Sequence, residues 1–211
     1  GQKGVNNGSI ETTDEGQVGQ AGQRAEGQAG GIRQSTAQQQ RADAGRKRAQ
    51  GARDLAKAWD EVTLSDLGFG ENNAQKVRVM PKGQETRSED IQAAEKFLRS
   101  MGVQNVRFFT GQLTQEIDGQ TFYADAAGTE DGSVLIRADS EEYSAFELAK
   151  HEGYHLLVKR WPEMAAKIQK RLLGEGKITK EMIESYVDAY AGIYGDDTDA
   201  YVEEIIADTY A

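Results

Sequence analysis

The sequence has no cysteine, which excludes a disulfide framework and any thiolate metal site. Histidine is nearly as scarce: there are two, His151 and His155, so a metal centre must be built from those imidazoles and from carboxylates. Positive charge is in deficit, with 25 Lys and Arg against 35 Asp and Glu, a net charge of −10 and a pI near 4.8. Such a balance argues against a nucleic-acid module in the folded part. No apolar run approaches membrane-spanning length. No signal peptide is visible, and a cytoplasmic or virion-associated location is favoured. The chain opens on Gly1 rather than Met and ends at Ala211 inside a helical pattern, so both termini are expected to continue in a longer protein.

Aromatic residues are missing from the first fifty positions, where Val5, Ile10, Val18 and Ile32 are the only large aliphatics among many Gly and Gln. Such a segment cannot bury enough apolar surface to offset its ordering entropy. Residues 1–54 therefore read as a linker or tail, with a polar helix over about 34–58. Its basic run Arg46-Lys47-Arg48 reads as a solvated helix face. The folded domain is expected over 55–211.

Within it, Lys76 to Met80 predicts a strand stopped by Pro81. Ser88 caps a helix through about Ser100, with Ile91, Ala94, Phe97 and Leu98 on one face and Gly102 beyond its end. Val106–Thr110, Thr121–Ala124 and Ser133–Ala138 predict three more strands, the last two separated by turn residues Gly128 and Asp131-Gly132. Gly68-Phe69-Gly70 reads as a further turn. After Asp139 the pattern is helical. One helix starts at Ser140 or Ser144, since Asp139…Glu142 and Ser144…Glu147 both fit a capping box. Pro162 opens the next, ending at Gly174, and Thr179 caps a third, ending near Gly195. Asp196, Asp197 and Asp199 suit the start of a last helix. Strands followed by helices make an α+β fold. Trp59 and Trp161 read as core or rim anchors.

The chemistry sits in His151-Glu152-Gly153-Tyr154-His155. Histidines four apart on a helix stack on one face, where both can reach one ion. Glu152 points elsewhere and can take a proton from water rather than ligate. Neutral imidazole suits zinc, and a catalytic zinc keeps three protein ligands and an open position. The metzincin pattern is excluded, because Val158 and Trp161 stand where it needs Gly and His. A carboxylate is left as third ligand. The best candidate is Glu204, four residues before Asp208 on a predicted helix face with Tyr201, while Ile205 and Ile206 lie toward the core. Asp208 then hydrogen-bonds the outer nitrogen of His151 or His155. Glu203 or Asp208 as the ligand stays open at this point. So does a solvated acidic face, since nothing from Glu181 to Ala211 is basic.

His151-Glu152-x-x-His155 followed by Glu204-x-x-Ala207-Asp208-x-Tyr210-Ala211 resembles the gluzincin class of zinc metallopeptidases. It is similar to the small gluzincin-like domains found in phage and mobile-element polyvalent proteins. The resemblance covers about Lys76 to Ala211. It departs from the smallest members in the long two-helix stretch between His155 and Glu204. It implies a zincin-like fold: a small mixed sheet packed on a helical half that carries the metal motif. It also implies a zinc cleft between the motif helix and the last helix, with Ser133–Ala138 as the edge strand above it and an extended polypeptide substrate along that edge. Zinc would polarise the scissile carbonyl, with Glu152 as general base. Tyr186, Tyr190, Tyr194 and Tyr201 are candidates for oxyanion stabilisation, each weighed against simple packing. A second expectation is a non-catalytic zincin-like structural or interaction module, which the intact Glu152 argues against. A third is another zinc-dependent hydrolase on the same helix pair.

Overall fold

The computed structural model describes residues 36–67, 73–83, 88–117, 120–129 and 132–210. Residues 1–35 of the tail expected over 1–54, the turn at Gly68-Phe69-Gly70, Asp131 and Ala211 lie outside them. Among the described residues the chain forms a mixed five-stranded sheet, a separate two-stranded hairpin and six α-helices. The α+β expectation holds.

The strands are β1 (Asp60–Thr63), β2 (Lys76–Val79), β3 (Val106–Thr110), β4 (Leu113–Ile117), β5 (Gln120–Ala124), β6 (Ala126–Gly128) and β7 (Val134–Arg137). The sheet runs β1-β2-β3-β7-β6. β3 and β7 pair in parallel, and the other neighbours are antiparallel. Side-chain alternation splits these strands between two cores. Phe108, Val134, Ile136 and Ala126 face one, while Phe109, Leu135 and Ala127 face the other. Both faces are therefore covered, which is why β7 reads as an unbroken apolar run.

That placement corrects one expectation. Ser133–Ala138 is not the edge strand: β7 lies between β3 and β6, and β6 forms the edge. The correction has a chemical reason. Ala126-Ala127-Gly128 carries no β-branched or aromatic residue, so nothing in its composition marks it as a strand. β5 does not pair with β7 as its neighbour; it closes a hairpin with β4, from Leu113↔Ala124 to Ile117↔Gln120.

The helices are α1 (Thr36–Leu55), α2 (Glu89–Ser100), α3 (Ala145–Arg160), α4 (Pro162–Gly174), α5 (Lys180–Tyr194) and α6 (Thr198–Tyr210). α1 is the expected polar helix, but packing begins earlier than residue 55. Gly45, Ala49, Ala52 and Ala56 form a buried stripe of small residues at helical spacing. A Cβ on Gly45 would lie 2.0 Å from the Glu141 carbonyl oxygen, so only glycine lets α1 approach that close. Arg53 secures the contact through Asp139 and Glu141. Trp59 is a core residue, whereas Trp161, at the α3–α4 junction, is largely exposed.

α3 is anchored from two sides at its N-terminus. Ser144, not Asp139, is the cap: its side chain accepts from Glu147 N, and the Glu147 carboxylate accepts from Ser144 N. Asp90 of α2 adds a second carboxylate, accepting from the backbone N–H of Ala145 at 2.7 Å and Phe146 at 3.1 Å. These acceptors satisfy donors that a helix start leaves unpaired and complement its positive dipole end. Farther along, Gly153 lets α2 close on α3, because a Cβ there would meet the Phe97 ring at 2.6 Å. The first half of α3 packs in the sheet core through Ala145, Leu148 and Ala149. Its second half faces α6, whose Val202, Ile205 and Ile206 belong to a third cluster with Ile178 and Tyr154. No helix among the described residues is long and apolar enough to cross a membrane.

Candidate metal centre

α3 and α6 bring their polar faces together at one buried point. His151 and His155, one turn apart, present rings with centroids 4.8 Å apart. Their Nε2 atoms lie 3.0 Å from each other. From α6, Glu204 places Oε2 at 3.6 Å from His151 Nε2 and Oε1 at 3.6 Å from His155 Nε2. His151 and Glu204 are almost completely buried. These three residues form the one group of His and carboxylate side chains, among the described residues, that could hold a metal ion.

The outer nitrogens face carboxylates. His151 Nδ1 lies 3.0 Å from Asp208 Oδ1, and His155 Nδ1 lies 2.6 Å from Glu203 Oε1. A carboxylate opposite Nδ1 assigns the proton to that nitrogen in both rings. Both Nε2 lone pairs then point inward, beside a carboxylate. Glu204 Oε2 has no hydrogen-bond partner among the described residues, although it is buried. Two inward nitrogen lone pairs and one orphaned buried oxygen fit a bound cation, which would satisfy all three.

The electrostatics agree. Burial alone would lower the pKa of His155, but the hydrogen bond to Glu203 and the charges of Glu204 and Glu152 outweigh it and lift the ring to about 9. Burial raises the Glu204 carboxyl, against the pull of both imidazoles and the Tyr194 hydroxyl. Burial also opposes ionisation of Asp208, yet its hydrogen bonds with His151 and Tyr186 hold it below the usual range.

Glu152 sits next to this group without joining it. It is buried, its Oε1 has no hydrogen-bond partner among the described residues, and burial raises its carboxyl. The two imidazoles pull it the other way, and Glu204 adds to the rise. A Cβ placed on Gly128 of the edge strand β6 would lie 4.0 Å from Glu152 Oε2, so the carboxylate lies against that edge.

All five residues singled out in the sequence, His151, Glu152, His155, Glu204 and Asp208, thus meet here. Asp208 takes His151 rather than His155. Glu203 stands on the outer side of His155 and away from the convergence of Nε2 atoms. The tyrosines divide by task. Tyr194 donates to Glu204 Oε1 at 2.7 Å and Tyr186 to Asp208 Oδ2 at 2.6 Å. Tyr201 instead donates to the Gly195 carbonyl at 2.5 Å, a turn contact. The sequence reading had not paired these hydroxyls with acids of α6. The signal was present: Tyr186, Tyr190 and Tyr194 repeat every four residues on α5, as Glu204 and Asp208 do on α6. Comparison with family models, curated proteins and solved structures finds no match to this chain.

Proposed function

We propose that the chain hydrolyses peptide bonds, with zinc held by His151, His155 and Glu204 and with Glu152 as the general base. The observation that carries the reading is the convergence of two Nε2 atoms on a buried carboxylate, beside a Glu152 oxygen that has no hydrogen-bond partner among the described residues. Two nitrogen donors and one oxygen donor, without thiolate, match a catalytic zinc centre that keeps one position open. The sequence resemblance to gluzincins supports the same assignment.

When bound, zinc supplies a Lewis acid that acidifies water and polarises a carbonyl. The protein's own residues do the rest. Asp208 and Glu203 orient the imidazoles through Nδ1. Glu152 accepts a proton from the attacking water, and the same carboxyl then hands it to the leaving amine. Its burial fits that exchange, because a carboxyl raised above its ordinary range holds a proton more readily than a solvated one. β6 offers an edge on which an extended polypeptide can pair by main-chain hydrogen bonds, with its scissile bond above Glu152.

Glu152→Gln tests the assignment, because it keeps the shape and removes the base. The variant is expected to retain the metal and lose cleavage of an unstructured protein substrate by ~100-fold or more. Full activity in Glu152→Gln would contradict the mechanism. The buried Glu152 Oε1, which has no hydrogen-bond partner among the described residues, also favours catalysis over the non-catalytic module, which has no use for an orphaned acid.

A further inference from the structure

The two oxygens of Glu204 are equally near the imidazole pair: Oε2 lies 3.6 Å from His151 Nε2 and Oε1 lies 3.6 Å from His155 Nε2. Proximity alone would let both oxygens chelate one ion. What distinguishes them is a hydroxyl on another helix. Tyr194 of α5 donates to Oε1 at 2.7 Å, and Oε2 is left buried with no hydrogen-bond partner among the described residues. The Tyr194 ring is held on two sides, by Tyr190 at 6.1 Å between centroids and edge-on by Tyr201 at 5.8 Å. Tyr190 is itself buried and stacks on Tyr186 at 5.6 Å. Tyr186 engages Asp208 Oδ2, while the other oxygen of that carboxylate faces His151. A row of rings on α5 therefore fixes one oxygen of each of two α6 carboxylates.

Resting on the zinc reading above, we propose that Tyr194 is a positioning residue that makes Glu204 a one-oxygen ligand. An oxygen engaged by a hydroxyl is the poorer donor, so the ion takes Oε2. The position that a second carboxylate oxygen would fill stays open for water and the substrate carbonyl. In Tyr194→Phe, Oε1 is released, and Glu204 closes on the ion with both oxygens.

Cobalt(II) reads coordination number directly, because a four-coordinate ion absorbs visible light several times more strongly than a five- or six-coordinate one. The whole chain, stripped by chelation, is titrated with Co²⁺ as wild type, Tyr194→Phe and Tyr186→Phe. The proposal expects an intense four-coordinate spectrum in wild type. It expects a several-fold loss of molar absorbance at saturation in Tyr194→Phe. Tyr186→Phe should keep the wild-type spectrum with weaker affinity, since it supports His151 through Asp208. An unchanged spectrum in Tyr194→Phe, or equal losses in both variants, overturns the role of Tyr194 and leaves the metal site standing. Failure of wild type to take up Co²⁺ overturns the metal reading, and this inference with it. Should Tyr194→Phe fail to fold, the zinc-edge X-ray absorption of wild type decides: one carboxylate oxygen on zinc supports the proposal, and two overturn it.

Discussion

His151 and His155 differ in what stands behind them. His151 is fully buried and backed by Asp208, which is itself fixed by Tyr186. His155 is backed by Glu203, whose side chain is about a quarter exposed. Water screens the second pair more than the first. Asp208→Asn is therefore expected to weaken zinc binding by ~10–100-fold, in the range typical of such outer partners. Glu203→Gln should cost less. Competition with a zinc-sensing dye measures both, and a larger loss for Glu203→Gln would reverse the ranking. At this scale the sequence was informative because helical spacing is local: positions four apart share a face whatever the tertiary fold. Which imidazole Asp208 meets was not legible, because that depends on how α6 crosses α3. Glu203 was open as a rival ligand for the same reason, since adjacent residues on a helix differ by only one step of rotation.

Helices were easier to read than strands. α2, α4 and α5 carried end signals in Ser88 and Gly102, Pro162 and Thr179, and each signal is chemical and local. β1, β4 and β6 were missed. For β4 a cue existed in Asp118-Gly119, which lies between the paired residues Ile117 and Gln120 and is a common hairpin dipeptide. For β6 there was none, because Ala and Gly become a strand there only through pairing with β7. The docking of α1 was hidden too: a stripe of Gly and Ala looks like a polar helix until its partner is known. Two glycines of α1 test that docking against each other. A Cβ on Gly51 meets nothing within 4 Å, whereas one on Gly45 meets the Glu141 backbone. Gly51→Ala should stabilise by up to ~1 kcal/mol through helix propensity. Gly45→Ala should destabilise by ~1–3 kcal/mol, because the backbone must move. Urea unfolding measures both, and stabilisation by both would mean that α1 does not pack on Glu141.

The molecule joins two packed halves through α3. The sheet core holds the first half of that helix, and the cluster around α6 borders the second. A metal at His151, His155 and Glu204 ties α3 to α6, so its binding should stabilise the whole chain by mass action, by ~4 kcal/mol at a thousandfold excess over Kd. That gain must depend on pH. In the metal-free fold, His155 titrates at about 9 rather than 6.5, so its pairing stabilises fully below 6.5 and fades as pH rises through 9. Zinc needs the neutral ring, so its contribution grows over the same interval. The difference in Tm between zinc-loaded and chelated protein should therefore widen from pH 6 to pH 9, and a narrowing would contradict the assignment. The fold class was legible from the order of elements. Sheet order was not, because strand neighbours are set by long-range pairing that no local pattern encodes.

Zinc stoichiometry tests the central claim most directly, by elemental analysis of the purified wild type and of the Glu204→Ala and Glu203→Ala variants after equal dialysis. The account predicts about one zinc per chain in wild type, retention in Glu203→Ala and loss in Glu204→Ala. A wild type without stoichiometric zinc, or a Glu204→Ala variant that holds it as firmly, would contradict it.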